Sequence, residues 1–176
     1  GKTGRLLYEK NGKAKQYMAS TTKIMTALLA LEAVSDEEEM IRISENAAAQ
    51  EGSSIYTQPG ERISFRDLIY ALMLRSGNDA AVALAEWMDG SEEAFADRMN
   101  RRAREMGAVN THFVTASGLH DEDHYTTAED LGLIAFEAMK NPRFREIAAT
   151  AEWNASRDVD KFNYFYNKNK VLHQYE

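Results

Sequence analysis

The chain has 176 residues, 44% of them hydrophobic, enough to bury one sizeable core, and a single domain is expected. A formal net charge of −7 and the lack of any Lys/Arg block exclude a phosphate-binding surface, so nucleic acid is not an expected partner. With no cysteine, disulfides, thiolate metal sites and thiol catalysis are excluded, and no apolar run approaches the roughly 20 residues of a membrane span.

In chain order, Arg5-Leu-Leu-Tyr-Glu9 before Asn11-Gly12 predicts a short strand running into a turn. A helix is predicted from about Thr21 to Ala33, then a short strand at Ile41-Arg-Ile43, then turns at Gly52-Ser-Ser54 and Pro59-Gly60. Ser64-Phe-Arg-Asp67 predicts a helix start, with Phe65, Leu68, Ile69, Leu72 and Met73 as its apolar stripe and Ser76-Gly-Asn78 as its stop. Further helices are predicted from Ala80 to about Met88, before Gly90, and after Ser91, with Gly107 as the C-terminal stop. Thr126-Thr-Ala-Glu129 predicts a capping box for a helix reaching Asn141-Pro142, and alternation in Phe162, Tyr164, Phe165 and Tyr166 predicts a strand. The middle is thus helical and the ends are strand-like.

Ser20-Thr-Thr-Lys23 heads the apolar run Ile24 to Leu31. On a helix, side chains at i and i+3 meet, so the Lys23 amine reaches the Ser20 hydroxyl near the positive end of the helix dipole. Among apolar neighbours the charged form of lysine is disfavoured, which suits a base near neutral pH. A chain of this length holds Ser-x-x-Lys about once by chance, and a helix cap followed by a snorkelling lysine reads the same letters.

Ser76-Gly-Asn78 sits between two helical patterns, where a hydroxyl can relay a proton and a carboxamide can both donate and accept; an ordinary turn is the alternative. Ser44-Glu-Asn46 is a second Ser-x-Asn, read as a helix cap. Lys2-Thr3-Gly4 is read as a turn before the first strand. Glu37-Glu38-Glu39 is read as a solvated turn or helix end in preference to a metal site. His112, His120 and His124 lack paired ligand spacing and are read as satisfied surface or capping residues, and Trp87 and the aromatics after residue 161 as core and sheet-face residues.

With both boxes placed, the sequence closely resembles the low-molecular-mass penicillin-binding proteins that are serine-type D-alanyl-D-alanine carboxypeptidases. Tyr8-Glu-Lys-Asn11, Met18-Ala-Ser-Thr-Thr-Lys-Ile-Met-Thr-Ala27, Gly52-Ser-Ser54, Ser76-Gly-Asn-Asp-Ala-Ala81, Met99-Asn100, Asn110-Thr-His-Phe113, Ala116-Ser-Gly-Leu119, His124-Tyr-Thr-Thr-Ala128 and Asn141-Pro142 follow that family's order. The resemblance implies an α+β fold of the β-lactamase/transpeptidase-like kind: a helical cluster packed on an antiparallel sheet, incomplete in this chain.

It further implies Ser20 as acylated nucleophile, Lys23 as general base, Ser76 as proton shuttle and Asn78 as a substrate-holding residue, with no cofactor or metal. The implied partners are peptidoglycan stem peptides ending in D-Ala-D-Ala and β-lactam antibiotics, met outside the cytoplasmic membrane, with membrane attachment only through segments beyond this chain. Asn167-Lys-Asn-Lys-Val-Leu172 resembles the segment shortly before the family's Lys-Thr-Gly strand, so residues 1–176 are expected to be one catalytic domain truncated before that box. A class A-like β-lactamase is disfavoured by the absence of Glu-x-x-Leu-Asn and by Ser-Gly-Asn in place of Ser-Asp-Asn. A D,D-endopeptidase on cross-linked muropeptides uses the same residues and differs in cleft access, and an inactive muropeptide-binding fragment is the reading that the missing Lys-Thr-Gly box favours.

Overall fold

A computed structural model describes residues 7–157, 159 and 162–173. Two alanine-rich helices form its centre. Helix α1, Lys23–Ala33, buries Met25, Thr26, Ala27, Leu28, Leu29 and Ala30, and α4, Asn78–Asp89, buries every residue from Asn78 to Ala85. Small side chains let the two helices approach closely, and larger residues from the surrounding elements, such as Phe65, Phe95, Phe113 and Phe165, fill the space around them.

The other helices begin where short polar side chains satisfy free backbone N–H groups. Ser44 caps α2, Glu45–Ala48; Ser64 caps α3, Phe65–Tyr70; and Ser91 caps α5, Glu92–Glu105, each by accepting from the backbone N–H three residues on. Ser44 is therefore the cap that the sequence predicts. Gly90 and Gly107, at φ 79° and 85°, close α4 and α5 in left-handed turns.

Three elements depart from expectation. Residues 5 and 6 lie outside the described residues and 7–9 form no strand; the first strand is β1, Gln16–Tyr17, paired antiparallel with β4, Tyr125–Thr126. Leu7 and Tyr8 are 87% and 79% exposed, and among the described residues no strand pairs with them. Helix α6, Ala128–Ala138, is capped one residue later than predicted: Thr127 accepts from Asp130 N–H, while Thr126 turns its hydroxyl to Thr111. A further helix, α7, Pro142–Ala149, starts from Asn141, whose side chain accepts from Arg143 and Phe144, so Asn-Pro ends one helix and begins the next.

Strands β2, Met40–Arg42, and β3, Arg62–Ser64, pair antiparallel, as do β5, Glu152–Asn154, and β6, Tyr164–Tyr166. The strand elements are thus short ribbons around a helical centre, the α+β arrangement expected with an incomplete sheet. In β6 Phe165 is buried core while Tyr164 and Tyr166, 45% and 50% exposed, lie on the outer sheet face; Phe162, before the strand, is 53% exposed and is a surface residue. Trp87 is half-buried against Phe65 and donates to Glu39. The acidic run is engaged and not merely solvated, because Glu37 accepts a bidentate pair from Arg143 at 2.7 and 2.6 Å and a third bond from Arg66.

Candidate active site

The chain enters the site through a strained turn. Ala19 has φ 44°, a left-handed conformation that costs an alanine about 1 kcal/mol or more. Its carbonyl is met by Gly118, where a Cβ would stand 2.0 Å from Ala19 O, so only glycine allows this close approach. From there Ala19–Thr22 forms a 3₁₀ turn that runs directly into α1. In a 3₁₀ turn i and i+3 side chains eclipse, which aligns Ser20 with Lys23 more directly than the α-helix expected from Thr21 would.

Ser20 is exposed, whereas Lys23 is only 3% exposed. The Lys23 ammonium donates to Asn78 Oδ1 at 2.7 Å, to the Ser117 carbonyl at 2.6 Å and to Ser20 Oγ at 3.3 Å. Burial, aided by the nearby Lys168 charge and opposed by Asp79, pushes the Lys23 amine down to about 8.

Asn78 opens α4 and is tied on three sides. Its N–H donates to Ser53 O at 2.6 Å, its Nδ2 donates to Glu51 O at 2.6 Å and its Oδ1 accepts from Lys23. The neighbouring Asp79, fully buried, accepts from Ser54 Oγ and from the Ile55 and Thr57 N–H groups, which bolts the 53–57 loop to the start of α4. Gly52 faces Asn78 Nδ2 so closely that a Cβ there would stand 2.8 Å away.

Ser76 follows a π-helical turn, Ala71–Arg75, and takes a left-handed conformation at φ 60°. Such turns recur at functional sites because they re-aim a single residue. Its Oγ is buried and has no hydrogen-bond partner among the described residues. Sequence-predicted Ser20, Lys23 and Asn78 are therefore joined by hydrogen bonds, while Ser76 stands two residues from Asn78 and is bonded to none of them. Lys2-Thr3-Gly4 lies outside the described residues.

Two contributors had no assigned role in the sequence, and a third, His124, was read as a surface or capping residue. The Ser117 carbonyl is a backbone group, invisible to motif reading, although Ala116-Ser-Gly-Leu119 marked the place. Lys168 donates to Ser53 Oγ at 3.0 Å, and its own amine is lowered by burial and by Arg75. His124 is 2% exposed, so it is a buried histidine and not a surface one.

An exposed hydroxyl three residues before a buried, partly neutral amine, at the edge of a helical core ringed by short antiparallel strands, is the geometry of a serine–lysine pair. The chain belongs to the D-alanyl-D-alanine carboxypeptidase family, whose model matches residues 1–176. It is 38% identical to the D-alanyl-D-alanine carboxypeptidase DacF of Bacillus subtilis over 98% of this chain and 46% of that protein. The crystal structure of the D-alanyl-D-alanine carboxypeptidase DacD from Francisella tularensis matches with TM-score 0.89 and 29% identity, covering 99% of this chain and 55% of that one. A mutant of a Streptomyces DD-transpeptidase matches with TM-score 0.88 and 32% identity, covering 99% and 74% respectively. The chain thus spans about half the length of the curated relative.

Proposed function

We propose that residues 1–176 form one catalytic unit carrying the acylating centre of a serine D-alanyl-D-alanine carboxypeptidase, with Ser20 as nucleophile and Lys23 as general base. The observation that carries this reading is the set of directions around the Lys23 nitrogen. Asn78 Oδ1 and Ser117 O can only accept, so they claim two N–H bonds. In the neutral amine, populated because burial lowers it to about 8, the remaining tetrahedral direction is the lone pair, and it faces Ser20 Oγ at 3.3 Å.

Ser20 Oγ then attacks the carbonyl of the penultimate D-alanine of a stem peptide while its proton passes to Lys23 Nζ. The new C–O bond forms a tetrahedral oxyanion, for which the Ser20 N–H is one donor. Collapse breaks the C–N bond. The departing D-alanine amine takes the proton, relayed by Ser76, whose buried hydroxyl has no partner among the described residues and suits a relay. Water attacks the resulting ester with the same base and frees Ser20. The second N–H of the Asn78 carboxamide serves to hold the peptide, its first being committed to Glu51.

A β-lactam enters the same path with its leaving amine tethered, so the ester persists. The substrate places the reaction outside the cytoplasmic membrane, and among the described residues no helix is long and apolar enough to cross one. The test is release of D-alanine from diacetyl-L-lysyl-D-alanyl-D-alanine. Release that Ser20→Ala abolishes supports the reading; none from the folded wild-type chain overturns it.

A further inference from the structure

The buried ring of His124 joins two segments that both end at Lys23. Its Nδ1 lies 3.0 Å from Val114 N and 3.3 Å from Thr115 N, and these two N–H groups can only donate. Nδ1 is therefore the acceptor, and in the neutral ring the proton sits on Nε2, 2.7 Å from Thr22 Oγ1. Burial pushes this imidazole down to about 4, with Asp121 favouring its charge and His112 opposing it, so the neutral tautomer holds at physiological pH. The Phe113 ring packs edge-on against it, with centroids 5.8 Å apart.

On one side, Thr22 lies between Ser20 and Lys23. On the other, residues 113–118 form a strap, buried at Phe113, Ala116 and Ser117, that delivers the Ser117 carbonyl to the Lys23 amine. The strap is anchored from behind by Asn100, which bonds both N–H and C=O of Phe113, and by Glu92, which accepts from Ala116 N–H. Besides Lys23 itself, Thr26 and His124 tie the strap to the nucleophile segment, and His124 does so with both ring nitrogens.

The geometry points to His124 as a positioning residue that fixes the strap against the Ser20–Lys23 turn, and so sets the place of the Ser117 carbonyl at the base. It touches no reacting atom. Freed of it, the strap rocks away, water reaches the amine, and the Lys23 titration moves up toward that of a free lysine. The consequence for rate rests on the acyl-transfer reading, but the titration of Lys23 does not.

The test compares wild type with His124→Phe, which keeps the packing and loses both polar contacts, and with His124→Gln, whose amide can donate to Thr22 and accept from Val114. NMR of isotopically labelled lysine reads the Lys23 titration directly, and the benzylpenicillin acylation rate is measured beside it. The expected result for His124→Phe is an upward shift of the Lys23 midpoint by about half a pH unit or more, with acylation about tenfold slower and β-lactam affinity little changed. His124→Gln recovers most of both. If His124→Phe does not fold, Thr22→Val, which removes only the Nε2 partner, must give the same shift. A Lys23 midpoint equal to wild type in the folded variant overturns the inference. A wild type that never acylates overturns the proposed function and leaves the titration to decide the role of His124.

Discussion

Lys23 Nζ stands closer to Asn78 Oδ1, at 2.7 Å, than to Ser20 Oγ, at 3.3 Å. The amine is thus anchored by the second motif and aimed at the first. Two short motifs 55 residues apart act as one device, because the 3₁₀ turn and the start of α4 bring their side chains together across the buried helix pair.

Asn78→Asp places a carboxylate against the amine. An opposite charge in contact favours the ammonium, so the Lys23 midpoint rises and the base is lost at neutral pH. Acylation by benzylpenicillin should fall at least tenfold at pH 7 and recover in part as pH is raised. Asn78→Ala should fall at every pH, because it adds no charge to titrate against.

With Lys23 as the proposed base, the wild-type acylation rate should climb with pH and level off near the Lys23 midpoint of about 8, since a base must be neutral to take the Ser20 proton. Below that midpoint the slope should approach tenfold per pH unit. Lys168 contributes to the lowering, so Lys168→Ala should move the limb to higher pH. A stopped pH series on both proteins reads the difference. The linkage to stability has the same sense as for a carboxylate held below its usual range, and the opposite sense to a lysine raised by an ion pair. Lys23 titrates lower folded than unfolded, so between about 8 and 10.5 the unfolded chain binds more protons and folding stability rises with pH.

Gly118→Ala meets Ala19 O at 2.0 Å and Thr22 Oγ1 at 2.8 Å in a backbone of φ 85°. Neither neighbour is the free end of a flexible chain, so the strap or the nucleophile turn must shift. A loss of roughly 2 kcal/mol or more by urea unfolding is expected, with loss of acylation in whatever folds.

Outside the hydrogen bonds that join Ser20, Lys23 and Asn78, the Arg157 side chain is 0% exposed and pairs with Glu61, which is 9% exposed, at 2.8 Å. Its Nη1 also donates to the carbonyls of Ile55 and Phe162, which ties the loop behind Asp79 to the C-terminal ribbon. Glu61→Gln leaves a buried charge without its counter-ion and should cost about 3 kcal/mol in urea unfolding. Its Lys23 titration should match wild type.

Much of this was legible in the letters. Ser44, Ser64 and Ser91 cap their helices where the sequence placed them, because a cap is a local contact that spacing specifies. The misreadings arise where a distant partner decides. Thr126 fits a capping box, yet Thr111 takes its hydroxyl and passes the cap to Thr127. Leu7 and Tyr8 have strand composition but no strand beside them. At the candidate site, Ser20, Lys23 and Asn78 could be singled out from the letters because side-chain type and spacing suggest them, and their hydrogen bonds join them. The Ser117 carbonyl was not, since any residue has one, and the role of His124 exists only once the strap and the turn are folded together.

The most direct test is intact mass and peptide mapping after incubation with benzylpenicillin, beside Ser20→Ala, with folding confirmed by circular dichroism. One covalent adduct per chain is expected, carried by the peptide containing Ser20 and absent from the variant. A folded wild-type chain with no adduct, or with an adduct on another residue, would contradict it.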